Sequence, residues 1–330
     1  MPQTRIGISG WTYGPWRGAF YPRDHPHKRE LEYASRVFNS IEINGSFYSL
    51  QRPSSYQTWY DQTPPGFVFA LKGGRFITHM KKLRDVDEAT ANYFASGVLN
   101  LREKLGPILW QFPASLGFDR ERFEKFFQLL PRDTAGAARL AKKHNDKVNG
   151  RAVTCAYVDQ PIRHAVEIRH PSFLTSEFID LLRRYNIALV FADTAGIWPY
   201  AEDVTADFVY LRLHGPEQLY ASGYTDPMLH WWASRIREWR QGGAPCDARC
   251  VSSSPASKAR RRDVYAYFDN DAKVHAPFDA LRLAARLRGD VKCAHGRAPA
   301  GAGEEPRENW PDHSRRPRPR RRSKPRAASP

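Results

Sequence analysis

The apolar runs of this chain end in polar residues, most of which are charged or amide side chains. Runs of four to eight residues bounded by turn or helix signals are expected for strands that are buried on both faces of a parallel sheet. The eight runs begin at Ile6, Ser40, Phe67, Pro107, Ala165, Ala188, Phe208 and Val264. Because helical stretches separate them, the sequence predicts an α/β fold, a closed (β/α)8 TIM-type barrel whose active face lies where the polar ends converge.

The length of 330 residues fits one large domain better than two, because a minimal barrel needs about 250 residues. We predict a single barrel domain over residues 1–288, with insertions at about 133–161 and 241–262. The first insertion contains AARLAKKHND, which favours an extra helix. The second is rich in Gly, Pro, Ser and Arg and is interpreted as a mobile loop.

Helical patterns fill most of the segments between the strands. Asp119 and Thr175 are placed to cap two of these helices, and the pair Asp226-Pro227 is typical of a helix start. No long helix is predicted after the sixth strand. The predicted helices are Glu30 to Phe38, Ser54 to Gln62, Glu88 to Lys104, Arg120 to Leu130, Ser176 to Tyr185, Asp226 to Arg240 and Pro277 to Arg288.

The positive charge is concentrated at the end of the chain. Residues 289–330 hold eleven Lys/Arg and five Asp/Glu, so this segment supplies a surplus of six of the total net charge of +16. It lacks hydrophobic periodicity and is rich in Pro, Gly and Arg, which predicts a disordered basic tail. Such a tail can bind nucleic acid non-specifically through phosphate neutralisation, although a merely solvated tail is the alternative.

Cysteine usage and hydropathy bear on the compartment. The four cysteines are too few and too irregularly spaced for a disulfide framework. No segment has about 18 consecutive apolar residues, and the first residues lack the apolar core of a signal peptide. We therefore predict a cytoplasmic protein that does not contact a membrane. The sequence does not determine its oligomeric state.

The alternation of side chains along a strand sorts the polar residues at the predicted mouth of the barrel. Lys72, Gln111 and Asp193 each end a strand. We expect these residues to meet, either as a catalytic and binding site or as a structural salt-bridge lattice that closes the barrel. Three other strand ends carry two same-face polar residues each: Glu42 with Asn44, Glu167 with Arg169, and Arg212 with His214.

Six motifs of this chain resemble, in order, those of the YecE-like proteins, the family called domain of unknown function seventy-two. They are GISGWTYGPWRGAFYP from Gly7, FNSIEINGSFYSLQRPSSYQTWYDQTPPGFVFALKGGRFITH from Phe38, LGPILWQFP from Leu105, HAVEIRHPSF from His164, YLRLHG from Tyr210 and VYAYFDND from Val264. The resemblance runs from about Arg5 to Arg288 and leaves the tail outside. It implies a TIM-type barrel and implies no established reaction.

Aromatic residues are frequent in the loops that follow the strands. Such rings can stack on bases or sugar faces, and Trp11 is the predicted ligand contact because it is nearest to a strand end. Packing of long loops against the barrel top is the alternative. The other aromatic residues of these loops are Tyr13, Trp16, Phe20, Tyr21, Phe47, Tyr48, Trp198, Tyr200, Tyr220 and Tyr224.

The same residues bear on whether the mouth could hold a metal ion. Lys72, Arg169 and Arg212 would repel a multinuclear metal cluster and attract a phosphate or carboxylate. We therefore predict no dedicated metal centre, with a single Mg or Mn ion held by carboxylates as the alternative. The side chains that could ligate it are Glu42, Glu167, Asp193, His214 and His79.

The first function that fits is an enzyme of hydrolytic type that acts on a phosphate-bearing substrate, such as a nucleotide or nucleic acid. Lys72, Arg169 and Arg212 would bind the phosphate. Glu42 or Glu167 would act as general base and His214 as general acid. The predicted catalytic residues are Glu42, Glu167, His214 and Asp193; the predicted substrate-binding residues are Trp11, Asn44, Lys72, Gln111, Arg169 and Arg212.

Two other function classes remain open. A glycosidase-like hydrolase would use Glu42 and Glu167 as its carboxylate pair, about 5 Å apart for retention or about 6.5 to 9.5 Å for inversion. A non-catalytic nucleic-acid-binding barrel would use the basic tail for affinity. Fold alone does not decide among the three classes.

Overall fold

Eight parallel strands close into a barrel in the order in which they occur along the chain, which confirms the predicted fold. The computed structural model describes residues 2–254 and 261–288. Each predicted apolar run forms a strand, and nearly every residue of these strands is buried. The strands are β1 (Thr4–Ser9), β2 (Ser40–Ile43), β3 (Val68–Lys72), β4 (Leu105–Gln111), β5 (His164–Glu167), β6 (Ile187–Asp193), β7 (Phe208–Leu213) and β8 (Asp263–Phe268).

Six of the seven α-helices with predicted bounds lie close to those bounds, and the short helix at Gly45–Tyr48 is not predicted by the sequence. The pattern over 88–104 predicts one helix, but α4 ends at Ala95 and a 3₁₀ helix follows at Val98–Lys104. Gly97 causes the break, because its φ is +116° and a Cβ there would lie 2.6 Å from Pro53 Cα. The helices are α1 (Glu30–Val37), α2 (Gly45–Tyr48), α3 (Pro53–Gln62), α4 (Asp87–Ala95), α5 (Arg120–Leu129), α6 (Thr134–Ala141), α7 (Ser176–Arg184), α8 (Asp226–Arg240) and α9 (His275–Arg288).

Capping side chains set several helix starts. Asp119 and Thr175 accept backbone hydrogen bonds at the starts of α5 and α7, as their positions predict. At α8 the capping residue is Thr225, and Pro227 lies in the first turn. Asp133 caps α6, which is the extra helix predicted in the first insertion.

The second insertion, which is predicted to be a mobile loop, makes backbone hydrogen bonds to buried carboxylates at residues 249–252, and its mobility stays a prediction. The buried carboxylate of Asp203 accepts hydrogen bonds from the backbone of Val251 at 2.7 Å and Ser252 at 3.0 Å. Glu202 likewise accepts the backbone N–H of Arg249 at 2.9 Å. Two buried carboxylates therefore hold this segment. Residues 255–260 of the insertion and the predicted tail at 289–330 lie outside the described residues.

The core has two parts, one between the barrel and its helices and one inside the barrel. The inner part contains Tyr210, Tyr265 and Tyr267, and the Ser40 Oγ and Tyr267 OH atoms lie 2.6 Å apart. The inner residues alternate along each strand, as expected for a barrel wall. This alternation places the last inward-facing residue of each strand in the layer above the tyrosines.

Cys155, Cys246 and Cys250 are free and exposed, while Cys293 lies outside the described residues. Among the helices that the structure describes, none combines the length and apolar character needed to cross a membrane. The cytoplasmic location stays a prediction.

Candidate functional site

Arg212, on β7, lies at the centre of the layer that closes the carboxyl end of the barrel and is fully buried. Its guanidinium donates to Glu42 Oε1 at 2.8 Å, to Glu167 Oε2 at 2.7 Å and to Asp269 Oδ2 at 2.9 Å. One cation therefore faces carboxylates from three different strand ends. A buried arginine can exist in this way because every side of its guanidinium has a charged or hydroxyl partner.

Glu42, on β2, has no exposed surface and no free acceptor capacity. Its Oε1 accepts from Ser9 Oγ at 2.5 Å and from Arg212, while its Oε2 accepts from Tyr210 OH at 2.6 Å and again from Arg212 Nε at 3.1 Å. Asn44 joins this group through Ser9 Oγ, to which its Nδ2 donates at 3.0 Å. The contacts of Glu42 are those of the structural lattice.

Glu167, at the end of β5, connects Arg212 with the outer charges. Its Oε1 accepts from Gln111 Nε2 at 2.7 Å and from Arg169 Nε at 3.0 Å. Burial alone would raise the pKa of Glu167, but the guanidinium groups of Arg212 and Arg169 outweigh it and hold the pKa well below its ordinary value. Glu167 is therefore an ionised acceptor, and its Oε2 accepts one hydrogen bond, from Arg212.

Asp269 follows β8 directly and completes the layer. Burial opposes ionisation of this carboxyl, yet Arg212 and His214 keep its pKa below the ordinary value. His214 Nδ1 lies 3.0 Å from Asp269 Oδ2, and His214 Nε2 lies 3.8 Å from Glu167 Oε2. Asp271, two residues later, shows the opposite behaviour: burial, and then the charge of Asp269, raise its pKa well above the ordinary value.

Lys72, at the end of β3, is the one cation of this layer without a carboxylate partner within 4.0 Å among the described residues. Only 9% of its surface is exposed, and its Nζ lies 4.4 Å from the centre of the Phe47 ring. Burial, together with the charge of Arg212, lowers the pKa of Lys72 to about 8. At neutral pH this amine is a proton donor whose protonated form is only moderately favoured.

The rim beside Lys72 is formed by residues of the segments that follow β3, β5, β6 and β7. The guanidinium of Arg169 stacks on the Trp198 ring at 3.6 Å, and its Nη2 donates to Tyr220 OH at 3.3 Å. His79 is half-buried in a five-residue π-helix, Phe76–Met80. Burial, and then the charges of Lys72 and Arg169, lower the pKa of His79 to about 4, so its imidazole is neutral at pH 7.

Two predicted site residues lie apart from this network. Ala192 faces the barrel interior, so the next residue, Asp193, faces away from it. Asp193 Oδ2 accepts a hydrogen bond from Tyr224 OH at 3.0 Å. Burial raises the pKa of Asp193 to about 6. Trp11 packs edge-on against Trp59 with ring centres 5.5 Å apart, in the layer between the barrel and α3. The contacts of Trp11 are those of loop packing.

The described side chains at the mouth are not arranged as the ligands of a metal ion. In residues 2–254 and 261–288, no group of three or more His, Cys, Asp or Glu side chains is arranged to hold a metal. The physical reason is that Glu42, Glu167 and Asp269 all direct oxygens at Arg212.

Sequence reasoning missed three residues that hydrogen-bond within this network: Ser9, Tyr210 and Asp269. All three lie on inward-facing positions, since Ser9 ends β1, Tyr210 precedes Arg212 by two residues and Asp269 follows Tyr267 by two. Extending the alternation to every strand, including small and aromatic hydrogen-bonding residues, would have found them.

Comparison with solved structures shows the same fold in distant proteins. A protein of the DUF72 family from Thermotoga maritima, TM1631, has a TM-score of 0.65 and 22% sequence identity, and the match covers 87% of this chain and 99% of that chain. A second one, EF0366 from Enterococcus faecalis V583, has a TM-score of 0.60 at 15% identity and covers 87% of this chain and 96% of that chain. These likenesses concern the fold alone.

Sequence comparison gives shorter matches. The protein is 29% identical over 112 residues to UPF0759 protein YecE of Escherichia coli K12, which is 34% of this chain and 38% of that protein. It is 26% identical over 113 residues to UPF0759 protein YunF of Bacillus subtilis 168, which is 33% of this chain and 39% of that protein. The matched part thus spans less than two thirds of these relatives. The model of the family described as "Protein of unknown function DUF72" matches residues 5–302, so the chain belongs to that family.

Proposed function

We propose that this protein is an enzyme of hydrolytic type that acts on a phosphate-bearing substrate, such as a nucleotide or nucleic acid, at the carboxyl end of the barrel. The observation that carries the proposal is Lys72, a buried amine at a strand end that has no carboxylate partner among the described residues. A buried ammonium that no carboxylate contacts directly is unfavourable in the free protein, and a phosphate oxygen would supply that direct contact.

The existing contacts of the two cations favour Lys72 over Arg212 as the phosphate ligand. Arg212 would have to give up contacts with three carboxylates to bind an anion, whereas Lys72 would give up none. Arg169 is intermediate, because its Nε and Nη2 are bonded to Glu167 and Tyr220 while its Nη1 has no hydrogen bond within the described residues. Lys72 and Arg169 then bind the phosphate from two sides.

Lys72 also has a pKa suited to proton transfer. A general acid works best when its pKa is near the operating pH, and burial lowers the pKa of Lys72 to about 8. In the proposed reaction the Lys72 ammonium donates a proton to the leaving oxygen as the P–O bond to that oxygen breaks. Water forms the new P–O bond and passes its proton to a non-bridging phosphate oxygen, and the neutral Lys72 amine regains a proton from solvent. Glu167 Oε2, which accepts only one hydrogen bond, orients the water.

The glycosidase alternative fits the site less well. It requires one carboxylic acid that stays protonated near neutral pH. Glu42 and Glu167 instead share the same guanidinium, and the pKa of Glu167 is held well below its ordinary value.

Sulfate is the probe for the anion site, because it does not titrate between pH 6 and 10 and so isolates the titration of the protein. Thermal unfolding should show stabilisation by sulfate that weakens as pH rises through about 8. Lys72→Met should abolish the stabilisation, while Lys72→Arg should keep it and remove its dependence on pH in this range. Lys125→Met is the matched control, since this exposed lysine lies on α5.

Hydrolysis is tested with p-nitrophenyl phosphate and bis(p-nitrophenyl) phosphate, which distinguish monoester from diester substrates. The rate should fall above about pH 8 and be lost in Lys72→Met. Equal sulfate stabilisation of the wild type and Lys72→Met, or hydrolysis that persists in Lys72→Met, would contradict the proposal.

A further inference from the structure

A surface strip next to the mouth combines exposed apolar side chains with unpaired cations. We define the aromatic strip as Tyr48, Phe76 and Met80 together with Arg75, Lys81, Lys82, Arg84 and Lys147. The three apolar members are 69%, 37% and 62% exposed, respectively, and they are among the most exposed large apolar side chains of the described residues. Exposed apolar groups that cluster within a charged surface are typical of binding sites.

The cations of the strip are not paired with carboxylates, in contrast to several surface arginines of this protein. Elsewhere, arginines such as Arg29, Arg120 and Arg184 pair with glutamates at 2.7 to 2.9 Å. The five cations of the strip have no acidic oxygen within 4.0 Å among the described residues, although Asp85 and Asp87 are close in sequence. Their charges are therefore available to an anionic partner.

Direct contacts connect the strip to the mouth. The Phe47 ring lies 4.4 Å from Lys72 Nζ, 5.0 Å from the His79 ring and 5.1 Å from the Tyr48 ring. On the far side, Lys147 Nζ lies 4.7 Å from the centre of the Phe76 ring. The strip thus continues from the proposed phosphate site across the π-helix to the loop that contains Lys147.

The backbone of the strip is held in a conformation that local propensity does not favour. Lys82, Leu83 and Asp85 have φ values of +49°, +65° and +49°, which non-glycine residues rarely adopt. The turn is closed by a hydrogen bond from the backbone N–H of Leu83 to Ile77 O at 3.1 Å. A conformation of this kind persists only where the surrounding structure imposes it, and it is enriched at functional segments.

From these observations we infer that the aromatic strip binds single-stranded nucleic acid, with bases stacked on Tyr48 and Phe76 and phosphates paired with the lysines and arginines around them. Unpaired bases offer flat apolar faces and a regularly spaced negative charge, which is the combination that the strip complements. A duplex hides its base faces, and a small phosphate compound would leave the strip unused. The inference rests on the proposed function, because it names the class of substrate that would bind at the same mouth of the barrel.

The test is fluorescence anisotropy of the full chain with a labelled oligodeoxythymidine, an abasic strand of the same length and a duplex. Tyr48→Ala and Phe76→Ala should each weaken oligodeoxythymidine binding by roughly five- to 150-fold, the range for loss of one base stack, and leave abasic-strand binding nearly unchanged. Tyr157→Ala and Phe278→Ala are the matched controls, because these rings are 52% and 45% exposed and lie outside the strip.

The charges are tested separately. Lys81→Glu and Lys147→Glu should each reduce the dependence of log affinity on log salt by about 0.7 or more, the contribution of one phosphate contact in a single strand, whereas Lys125→Glu should not. Residues 289–330 are present in every variant, so their contribution cancels. If sulfate stabilises the wild type but not Lys72→Met, and the strip variants bind oligodeoxythymidine as the wild type does, this inference is overturned. The proposed function would then still stand.

The opposite pattern would support strand binding without the proposed chemistry: strip variants that lose oligodeoxythymidine affinity while Lys72→Met binds sulfate as the wild type does. Equal binding of the abasic strand and oligodeoxythymidine, or binding of the duplex as tightly as the single strand, would show that the strip does not stack bases. Either result would overturn the inference.

Discussion

Replacement of Glu167 by glutamine should destabilise the protein by about 3 to 5 kcal/mol, the cost of breaking a buried ion pair. The carboxylate accepts from Gln111, from Arg169 and from Arg212, the last at 2.7 Å. An amide keeps only one acceptor oxygen, so its NH₂ group must face either the Gln111 and Arg169 donors or the Arg212 donor. In either orientation the NH₂ group of the glutamine faces another hydrogen-bond donor, and the fully buried Arg212 loses one of its negatively charged partners.

The loss of stability in Glu167→Gln should become smaller as the pH falls. Arg212 and Arg169 hold the folded-state pKa of Glu167 below its unfolded value of about 4.3, so the carboxylate stabilises the fold above that pH and this stabilisation is lost as the pH falls. The gap in unfolding free energy between wild type and Glu167→Gln should therefore be full at pH 6 to 7 and narrow below about pH 4. Urea unfolding at several pH values measures it.

Glu177→Gln is the matched control, because Glu177 also pairs with an arginine, at 2.9 Å, but its side chain is 51% exposed. The surface pair is screened by water, so this variant should unfold at nearly the wild-type urea concentration. A gap below about 1 kcal/mol for Glu167→Gln, or a gap that does not change with pH, would refute the view that this carboxylate holds the buried guanidinium.

Three further outcomes are expected from urea unfolding and spectroscopy. Asp193→Asn should stabilise the protein at pH 7 by about 2 to 3 kcal/mol, and the gain should vanish near pH 4, since burial raises the pKa of Asp193 to about 6 and the ionised form is the disfavoured one. Lys104→Met should cost about 1 to 3 kcal/mol, because the buried ammonium donates to Tyr60 O at 2.6 Å and Thr63 O at 2.7 Å, which would lose their donor. Removal of 289–330 should leave cooperative unfolding intact, because it keeps β8 and the described part of α9, while weakening non-specific nucleic-acid binding measured by anisotropy.

The strands were predictable because burial on both faces of a parallel sheet leaves a continuous apolar run that ends where the strand meets the mouth. Alternation then located the inward-facing Glu42, Glu167 and Arg212. The same rule includes Asp269, which follows the inward-facing Tyr267 by two residues at the polar end of the eighth run, but this residue was overlooked. Extending the alternation beyond the apolar residues corrects that omission.

Other features depend on contacts between distant segments. The break at Gly97 follows from the approach of Pro53, and the backbone of residues 249–252 is hydrogen-bonded to Glu202 and Asp203 on another loop. The stacking of Arg169 on Trp198 joins the loops after β5 and β6 in the same way. A single sequence carries no periodic signal for such pairs, so their residues are recognised only after the loops have been placed.

Alternation also cannot tell which inward-facing cation binds a ligand, because the answer depends on how many partners each cation already has. Three positive and three negative side chains meet at the mouth, counting Arg212, Arg169 and Lys72 against Glu42, Glu167 and Asp269, so their formal charges cancel. An anion would nevertheless be drawn to Lys72, since pairing there breaks no existing ion pair, while pairing with Arg212 would leave buried carboxylates without their cation. The saturated layer around Arg212 keeps the strand ends in place, and the amine it leaves unpaired is the group that can respond to a substrate.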